Sequence, residues 1–387
     1  MTTCGDVIVV GRGPAGLLFS SLVAQNRGSV ILVADAQGSF PLWGGQWDFC
    51  NYTDDGEHVL DPYQWWQQHP SAWDEVRDAS TWTLRWQHLM TLWQEIGIPV
   101  PDRVPKLNRW MVTPLGQLRP TYWVANWHFV MERPGPLVFV DVPGLVDFRA
   151  EVVARVYTAT TGQMAKTFRL AVPSGWRRDW HALNWAWFLD SKAGQDWLGQ
   201  ALRDQVRAGE EAVVFPQILG VDHCEEVLEV AQRVLGRPVA EVPLPPPAVG
   251  GIRIQRRWEY WLRRHGIQLV SARVTAANRH SVTLQDGRAL AADAVVLATG
   301  GILGGGLEIQ PSGSVRNTVT GAVIGTLGDQ LLGAVGHRNW DESVPVIGRM
   351  IQGWNPDKRG NGGAMNLWTA HVAYQAFIGH TALAREN

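Results

Sequence analysis

Six residues near the N-terminus, Gly11-Arg12-Gly13-Pro14-Ala15-Gly16, carry the spacing G-x-G-x-x-G. The chemistry of that spacing is anion binding by the main chain. Gly11 permits a tight turn, Gly13 lets the backbone approach a pyrophosphate, and Gly16 lets a following helix pack closely on a strand. Unpaired N–H groups and the dipole at the helix start then favour phosphate. The flanking residues give the motif its weight. Asp6 to Val10 is a short β-branched run of the kind found in a buried parallel strand. Leu17 to Gln25 reads as a helix that Gly28 ends, and Ser29 to Val33 reads as a second strand. Strand, glycine loop, helix and strand together predict a dinucleotide or flavin site rather than a plain turn.

An acid at the end of the second strand normally holds the ribose hydroxyls of an adenosine. Counting on from the glycines puts Ala34 there, with Asp35 one residue late. Asp35 serves only if the strand ends in a bulge. Ala34 therefore points to FMN and the two-part dinucleotide architecture to FAD. FAD is the expected cofactor, with FMN as the alternative.

The complementary half lies far downstream. Arg253 to His265 reads as a helix and Gly266 to Val270 as a strand. Ser281 to Leu284 and the Asp286-Gly287 turn suggest a small β-meander. Ala294 to Gly301 is a buried strand that runs into a glycine turn at Thr299, Gly300 and Gly301. Pro345 to Gly348, the stretch from Gly353 to Gly363 and a helix from Ala364 predict the last cofactor contact, with Gly353, Asn361, Gly362 and Gly363 at its loop. Gly44 and Gly45 belong to the segment Leu42 to Phe49, whose place against the flavin is what the family resemblance given below implies. The cofactor domain is then discontinuous, residues 1–45 and 248–387. Residues 46–247 form an inserted cap for substrate or partner, and the Pro-rich Val242 to Ala248 is the return linker.

Composition narrows the class. The 387 residues are 45% hydrophobic and 18% charged, which excludes disorder and coiled coil as the main architecture. A net charge of -2 gives no global field for nucleic acid or anionic lipid. Cys4, Cys50 and Cys224 show no CxxC pair and no metal-ligand spacing, so no metal site and a reducing, cytoplasmic setting are expected. Asp6 and Arg12 break up the first apolar run, so neither a signal peptide nor a membrane span is read there. Tryptophan is unusual: 21 residues, eleven of them between Trp43 and Trp127. Stacking on a ligand or partner is one use of them, and ordinary core packing is the favoured one.

Other side chains are individually ambiguous. Arg119 and Arg253 each offer a planar fork for phosphate or carboxylate, and each serves equally well in a structural ion pair. His58, His69, His88 and His128 are the insert's candidates for a general base, and no spacing singles one out. Arg256-Arg257 and Arg263-Arg264 read as one solvated helix face. The catalytic residue is unknown.

Five segments in order carry a family resemblance: Val112 to Arg119, Pro143 to Phe148, Leu244 to Arg253, Leu297 to Leu307 and Asn355 to Gly363. With both ends placed, the chain resembles the B subunit of the anaerobic glycerol-3-phosphate dehydrogenase complex. The resemblance implies an α/β chain with a Rossmann-like FAD/NAD(P)-binding domain, of glutathione-reductase or fumarate-reductase type, and an inserted α+β cap. It implies a flavin subunit, assigned FMN, alongside a larger FAD-containing subunit and an iron–sulfur subunit that anchors the assembly at the inner membrane. Together these oxidise sn-glycerol 3-phosphate to dihydroxyacetone phosphate and pass electrons toward quinone, so this chain would be cytoplasmic and peripheral only through a partner. Two positions depart from the family pattern: Leu42 to Phe49 lacks its His and serines, and Asn361 replaces its Cys. Two alternatives stay open, an electron-transfer flavoprotein subunit of another respiratory or disulfide-reductase-type complex, and a non-redox scaffold.

Overall fold

A computed structural model of the chain describes residues 4–69, 79–203, 205, 211–326, 344–351 and 356–385. Strand β1 (Cys4–Val10), helix α1 (Pro14–Gln25) and strand β2 (Val30–Ala34) form the first unit, with the glycine loop between strand and helix. Val7 to Val10 and Val30 to Val33 are buried, as strands covered on both faces must be. The α1 helix ends at Gln25, just before Gly28, with Arg27 in the left-handed region.

The insert then begins with α2 (Pro62–Gln68), α3 (Ala79–Ile96) and the antiparallel pair β3 (Arg109–Val112) and β4 (Leu118–Thr121). Next come β5 (Leu137–Asp141), α4 (Ala150–Thr161), β6 (Ala165–Arg169), α5 (Ala182–Asp190) and α6 (Lys192–Arg203). It closes with β7 (Ala212–Pro216), α7 (Cys224–Leu235) and β8 (Val239–Val242). This stretch is thus mixed: a ribbon and helices, plus an all-parallel sheet in the order β6-β5-β7-β8.

Helix α8 (Val249–Arg264) leads back to β9 (Gln268–Ser271), the meander β10 (Val274–Ala277), β11 (Ser281–Leu284) and β12 (Ala289–Leu297). The main sheet runs β10-β11-β12-β1-β2-β9, parallel from β12 to β9 and antiparallel in the meander. That is the Rossmann-like arrangement expected, with the first and last halves interleaved at β1 and β12. A three-stranded sheet follows, of β13 (Leu307–Ile309), β14 (Ser314–Asn317) and β15 (Val323–Thr326). Val346 bridges in parallel to Leu297 at the end of β12. One helical turn, α9 (Pro356–Arg359), precedes the long helix α10 (Gly362–Arg385).

Helix α8 starts four residues before the sequence suggests, because Gly250 and Gly251 lie inside it. A Cβ on Gly251 would sit 1.9 Å from the Phe40 carbonyl oxygen, so glycine lets the helix press on the chain after β2. On its other side Arg253 is fully buried in an ion pair with Glu241, Nη1 to Oε2 2.8 Å. The same guanidinium donates to the Gly220 carbonyl, and Glu241 Oε1 accepts from Leu219 N–H at 2.6 Å. Arg253 is therefore a structural residue that locks α8 to β8, and no ligand can reach it. Arg257 likewise leaves the expected solvated face to pair with Glu225, while Arg256 pairs with Asp222.

Many of the tryptophans lie in the buried core. Trp47, Trp82, Trp86, Trp93, Trp123, Trp127, Trp185 and Trp258 are fully buried. Trp93 packs on Trp123 at 4.5 Å between centroids and Trp47 on Trp93 at 6.1 Å, and Trp258 anchors to α1 by donating to Ser21 Oγ. Ordinary packing accounts for them.

A buried pair broken on one side leaves an uncompensated charge. Glu241→Leu or Arg253→Met alone is expected to cost about 3–5 kcal/mol in urea unfolding, and the double replacement to recover most of it. Equal losses in the single and double variants would mean that the pair is not the lock.

Candidate functional site

Two of the predicted glycines, Gly11 and Gly16, meet at the end of β12. Gly11 has φ +106°, and a Cβ there would lie 2.3 Å from the Ala298 carbonyl oxygen at the end of β12. A Cβ on Gly16 would lie 2.1 Å from the Gly11 oxygen and 3.1 Å from Ala298 Cβ. Those two residues must be glycine for the protein's own packing. Gly13 is different. As the N-cap of α1 it has φ -74° and ψ 177°, extended backbone that any residue adopts, and the nearest atom to a Cβ there is Ser39 Oγ at 3.8 Å. Pro14 and Ala15 open the helix, and Ala15 Cβ lies 3.0 Å from where a Gly348 Cβ would stand. Gly348 therefore joins the start of α1 to the first turns of α10.

Thr299, Gly300 and Gly301 follow β12 beside this turn. Thr299 donates to Met350 Sδ at 3.0 Å, Gly300 has φ +77°, and Gly301 abuts Arg349. Asp35 is exposed just past the end of β2, in line with its one-residue offset. Gly44 and Gly45 sit against the insert: a Cβ on Gly44 would meet Gln46 and Pro243, and one on Gly45 would meet Ile254 and His128. Gly363 packs on the backbone of Trp47 and Asp48, with a notional Cβ 2.6 Å from Asp48 N. Gly362 begins α10. Gly353 lies outside the described residues.

Asn361 is fully buried, and neither its Nδ2 nor its Oδ1 has a hydrogen-bond partner. Asn51 beside it is also fully buried with both side-chain polar atoms unpartnered. Sequence reasoning named Asn361 and missed Asn51, a lone loop residue with no motif around it.

A polar cluster faces the start of α10 from the hairpin. Arg119 on β4 forms a short ion pair with Asp48, whose other oxygen accepts from Thr121 Oγ1 at 2.6 Å. The Asp48 carbonyl accepts from Ala364 N–H at 3.0 Å. The Arg119 side chain keeps 29% of its surface exposed. Tyr52 stands near this pair; burial pushes its phenol up, the Arg119 charge opposes that and Asp48 adds to it. Burial likewise pushes the Cys50 thiol up to about 12, so it stays neutral.

The histidine candidates separate. His58 is an exposed ring beside Tyr52 and Trp110, His69 stacks on Trp65, and His88 stacks on the buried His371. His128 is buried, with Nε2 donating to the Gly44 carbonyl at 2.8 Å and Gln217 beside it. Loss of solvation lowers its pKa to about 4, with the Arg253 charge adding to the shift and the Gly44 bond opposing it. It is a neutral structural ring. Among the described residues no group of three or more His, Cys, Asp or Glu could hold a metal ion. None of their helices is long and apolar enough to cross a membrane.

No family model matches the chain. A protein of Vibrio cholerae serotype O1 (Classical Ogawa 395), described as the B subunit of anaerobic glycerol-3-phosphate dehydrogenase, is 24% identical with 98% of each chain covered. This chain is a distant relative of that protein. The Pectobacterium atrosepticum protein of the same description is 26% identical over 67% of this chain, and the match spans 64% of that protein's own length. The solved structures include Pseudomonas aeruginosa PqsL, at 11% identity, 97% and 86% coverage and TM-score 0.37. A flavocytochrome c3 fumarate reductase matches at 13%, 77% and 34% coverage and TM-score 0.31. The fold therefore rests on its own sheet topology.

An imidazole with a folded pKa below its unfolded value loses stability as pH falls. The unfolded ring protonates below about 6.5 and the buried His128 only near 4. His128 should thus contribute its full stability above pH 7 and lose about 3 kcal/mol of it by pH 4. Urea midpoints across that range should flatten in His128→Gln; an unchanged slope would assign the loss elsewhere.

Proposed function

We propose that this chain is the flavin-binding subunit of a heteromeric dehydrogenase acting on a small hydroxy-phosphate, with sn-glycerol 3-phosphate as reference substrate. The observation that carries the reading is Gly13, a glycine that neither backbone conformation nor packing demands. A phosphate drawn onto the N-terminus of α1 supplies the missing reason. The orphaned carboxamides of Asn51 and Asn361 fit a polar ring edge in the same way. In this reading residues 1–45 and 248–387 hold FAD, with FMN as the alternative, and residues 46–247 cap it.

The flavin, when bound, supplies a two-electron acceptor for hydride from the carbon that bears the hydroxyl. The chain's own residues do the rest. Gly13 and the α1 N–H groups hold the cofactor phosphate, and Thr299, Gly300 and Gly301 line the turn beside it. Arg119, partly open to solvent, offers its fork to the substrate oxyanion, and Asp48 orients that fork while Thr121 orients Asp48. The relatives' description as a B subunit supports partner subunits; in this proposal they are a larger FAD-containing subunit and an iron–sulfur subunit that passes electrons to quinone at the membrane. A second reading, an electron relay in another respiratory complex, is favoured by the segment Leu42 to Phe49, which lacks the His and serines of the family pattern.

The test pairs two glycines. Gly13→Ala is expected to unfold like the parent within about 0.5 kcal/mol and to bind FAD and FMN at least tenfold more weakly. Gly16→Ala should destabilise the chain outright through its clash with Gly11. Flavin binding by Gly13→Ala as tight as the parent's would remove the phosphate from this loop. A colourless chain that also refuses both flavins would leave a scaffold.

With flavin bound, Arg119→Gln should raise KM for sn-glycerol 3-phosphate at least tenfold with a smaller change for an uncharged polyol. Equal effects on both would take the oxyanion away from Arg119.

A further inference from the structure

Asn51 and Asn361 are buried carboxamides that the chain's own structure leaves without partners. Both are fully buried, and all four of their side-chain polar atoms lack a partner. Tryptophan indole nitrogens elsewhere in the core are unpartnered too. There, however, each N–H accompanies a large apolar surface whose burial is favourable. A carboxamide has almost no apolar surface to bury, so its enclosure is nearly pure cost, about 1–3 kcal/mol for each group left unpaired.

Each asparagine is fixed by its backbone. Asn51 N–H donates to the Arg359 carbonyl at 2.8 Å, and the Asn51 carbonyl accepts from Val59 N–H at 2.9 Å. The Asn361 carbonyl accepts from Met365 N–H at 3.0 Å, which makes Asn361 the N-cap of α10. An N-cap asparagine ordinarily turns its side-chain oxygen to a free N–H two or three residues on. Here the Asp48 carbonyl takes the Ala364 N–H, so the cap is made without the Asn361 side chain. Its carboxamide is released from the usual role.

Gly360 sets the two together. Its φ is +60°, and a Cβ on it would stand 2.8 Å from Asn51 Cβ and 2.9 Å from Asn51 Nδ2. The Asn51 side chain therefore lies directly against the turn that leads into Asn361. Asn108, which reaches the same strip of chain, is held by one end only: its Nδ2 donates to the Cys50 and Val59 carbonyls, each at 2.7 Å, while its Oδ1 is unpartnered.

We infer that Asn51 and Asn361 together read the imide edge of the isoalloxazine ring, its carbonyl, N3–H and second carbonyl. The inference rests on the flavin reading above. Each carboxamide brings two N–H donors and a carbonyl acceptor, and an imide presents acceptor, donor, acceptor. Two adjacent carboxamides can satisfy all three groups, their two N–H groups donating to the two carbonyls and one of their oxygens accepting from N3–H, so three of the four unpartnered atoms gain a partner. Both are sealed from water in the ligand-free chain. Binding must therefore part the Gly360 turn from the Asn51 side chain against the Asn51 and Tyr52 N–H bonds to the Arg359 carbonyl and the Arg359–Asp54 ion pair.

The experiment uses the full chain, with FMN and FAD and their N3-methyl analogues as probes, read by quenching of flavin fluorescence. The parent should prefer the unmodified flavin at least tenfold, because methylation removes the donor that a carboxamide oxygen accepts. Asn51→Leu and Asn361→Leu should bind the unmodified flavin about tenfold more weakly and lose the preference. Their flavin-free chains should melt no lower than the parent, since the orphaned groups are gone. Equal binding of both flavins by the parent would overturn the inference without any variant. Retained preference in both leucine variants would overturn it as well. A parent that binds neither flavin would sink the functional reading beneath it, and this assignment with it.

Discussion

The approach of Gly11 to the end of β12 is the constraint on which the rest depends. The Gly11 backbone lies so close to the Ala298 carbonyl that no side chain fits, and Gly16 closes on Gly11 from the other side. The parallel register of β1 with β12, Val10 opposite Leu297, brings residues almost 290 apart to the same sheet edge. The Gly11–Gly16 turn and Thr299 to Gly301 then meet at the carboxyl ends of β1 and β12, the end of the strands where open α/β sheets place their ligands. Val346 adds to the same edge, and Gly348 seats α10 against α1.

The insert is held to that edge by charge as well as by aromatic packing. Arg253 and Glu241 have no exposed surface, and the guanidinium also satisfies the Gly220 carbonyl. Such a pair adds little net stability over an apolar contact, but losing one member is expensive. Its effect is to fix the register of α8 against β8. Helix α8 in turn presses on Phe40 and Trp43 at the start of the segment that reaches the site.

What the sequence made legible was local. The β-branched runs, the glycine spacing and the Asp286-Gly287 turn each sit within a few residues of their effect, and the structure places them as read. The start of α8 was hidden, because Gly250 and Gly251 weaken helix propensity and only the contact with Phe40 explains them. Arg253 and Arg119 looked alike in the sequence. One is buried against Glu241 and the other stays partly exposed beside Asp48, and the difference arises from partners far away in the chain. Asn51 carried no signal at all, since its meaning lies in Gly360 and Asn361, some 310 residues on.

The tryptophans and the polar site are connected through one stretch of chain. Between Trp43 and Asn51 aromatic and polar residues alternate in role. Trp47 and Phe49 are driven into the core, where Trp47 meets Trp93 and Trp258 and Phe49 meets Trp82 and Trp86. Trp47 is further pinned by paired backbone bonds to Trp123. With those rings fixed, Asp48 can only turn toward Arg119 and Thr121 on the hairpin, and its carbonyl toward Ala364. A flexible segment would let Asn51 rotate to find water or backbone partners, and its polar groups would cost little. The dense aromatic wall forbids that rotation, because moving a ring would open a cavity in a close-packed core. The same packing that makes the chain rich in tryptophan thus holds the unpartnered Asn51 carboxamide in place.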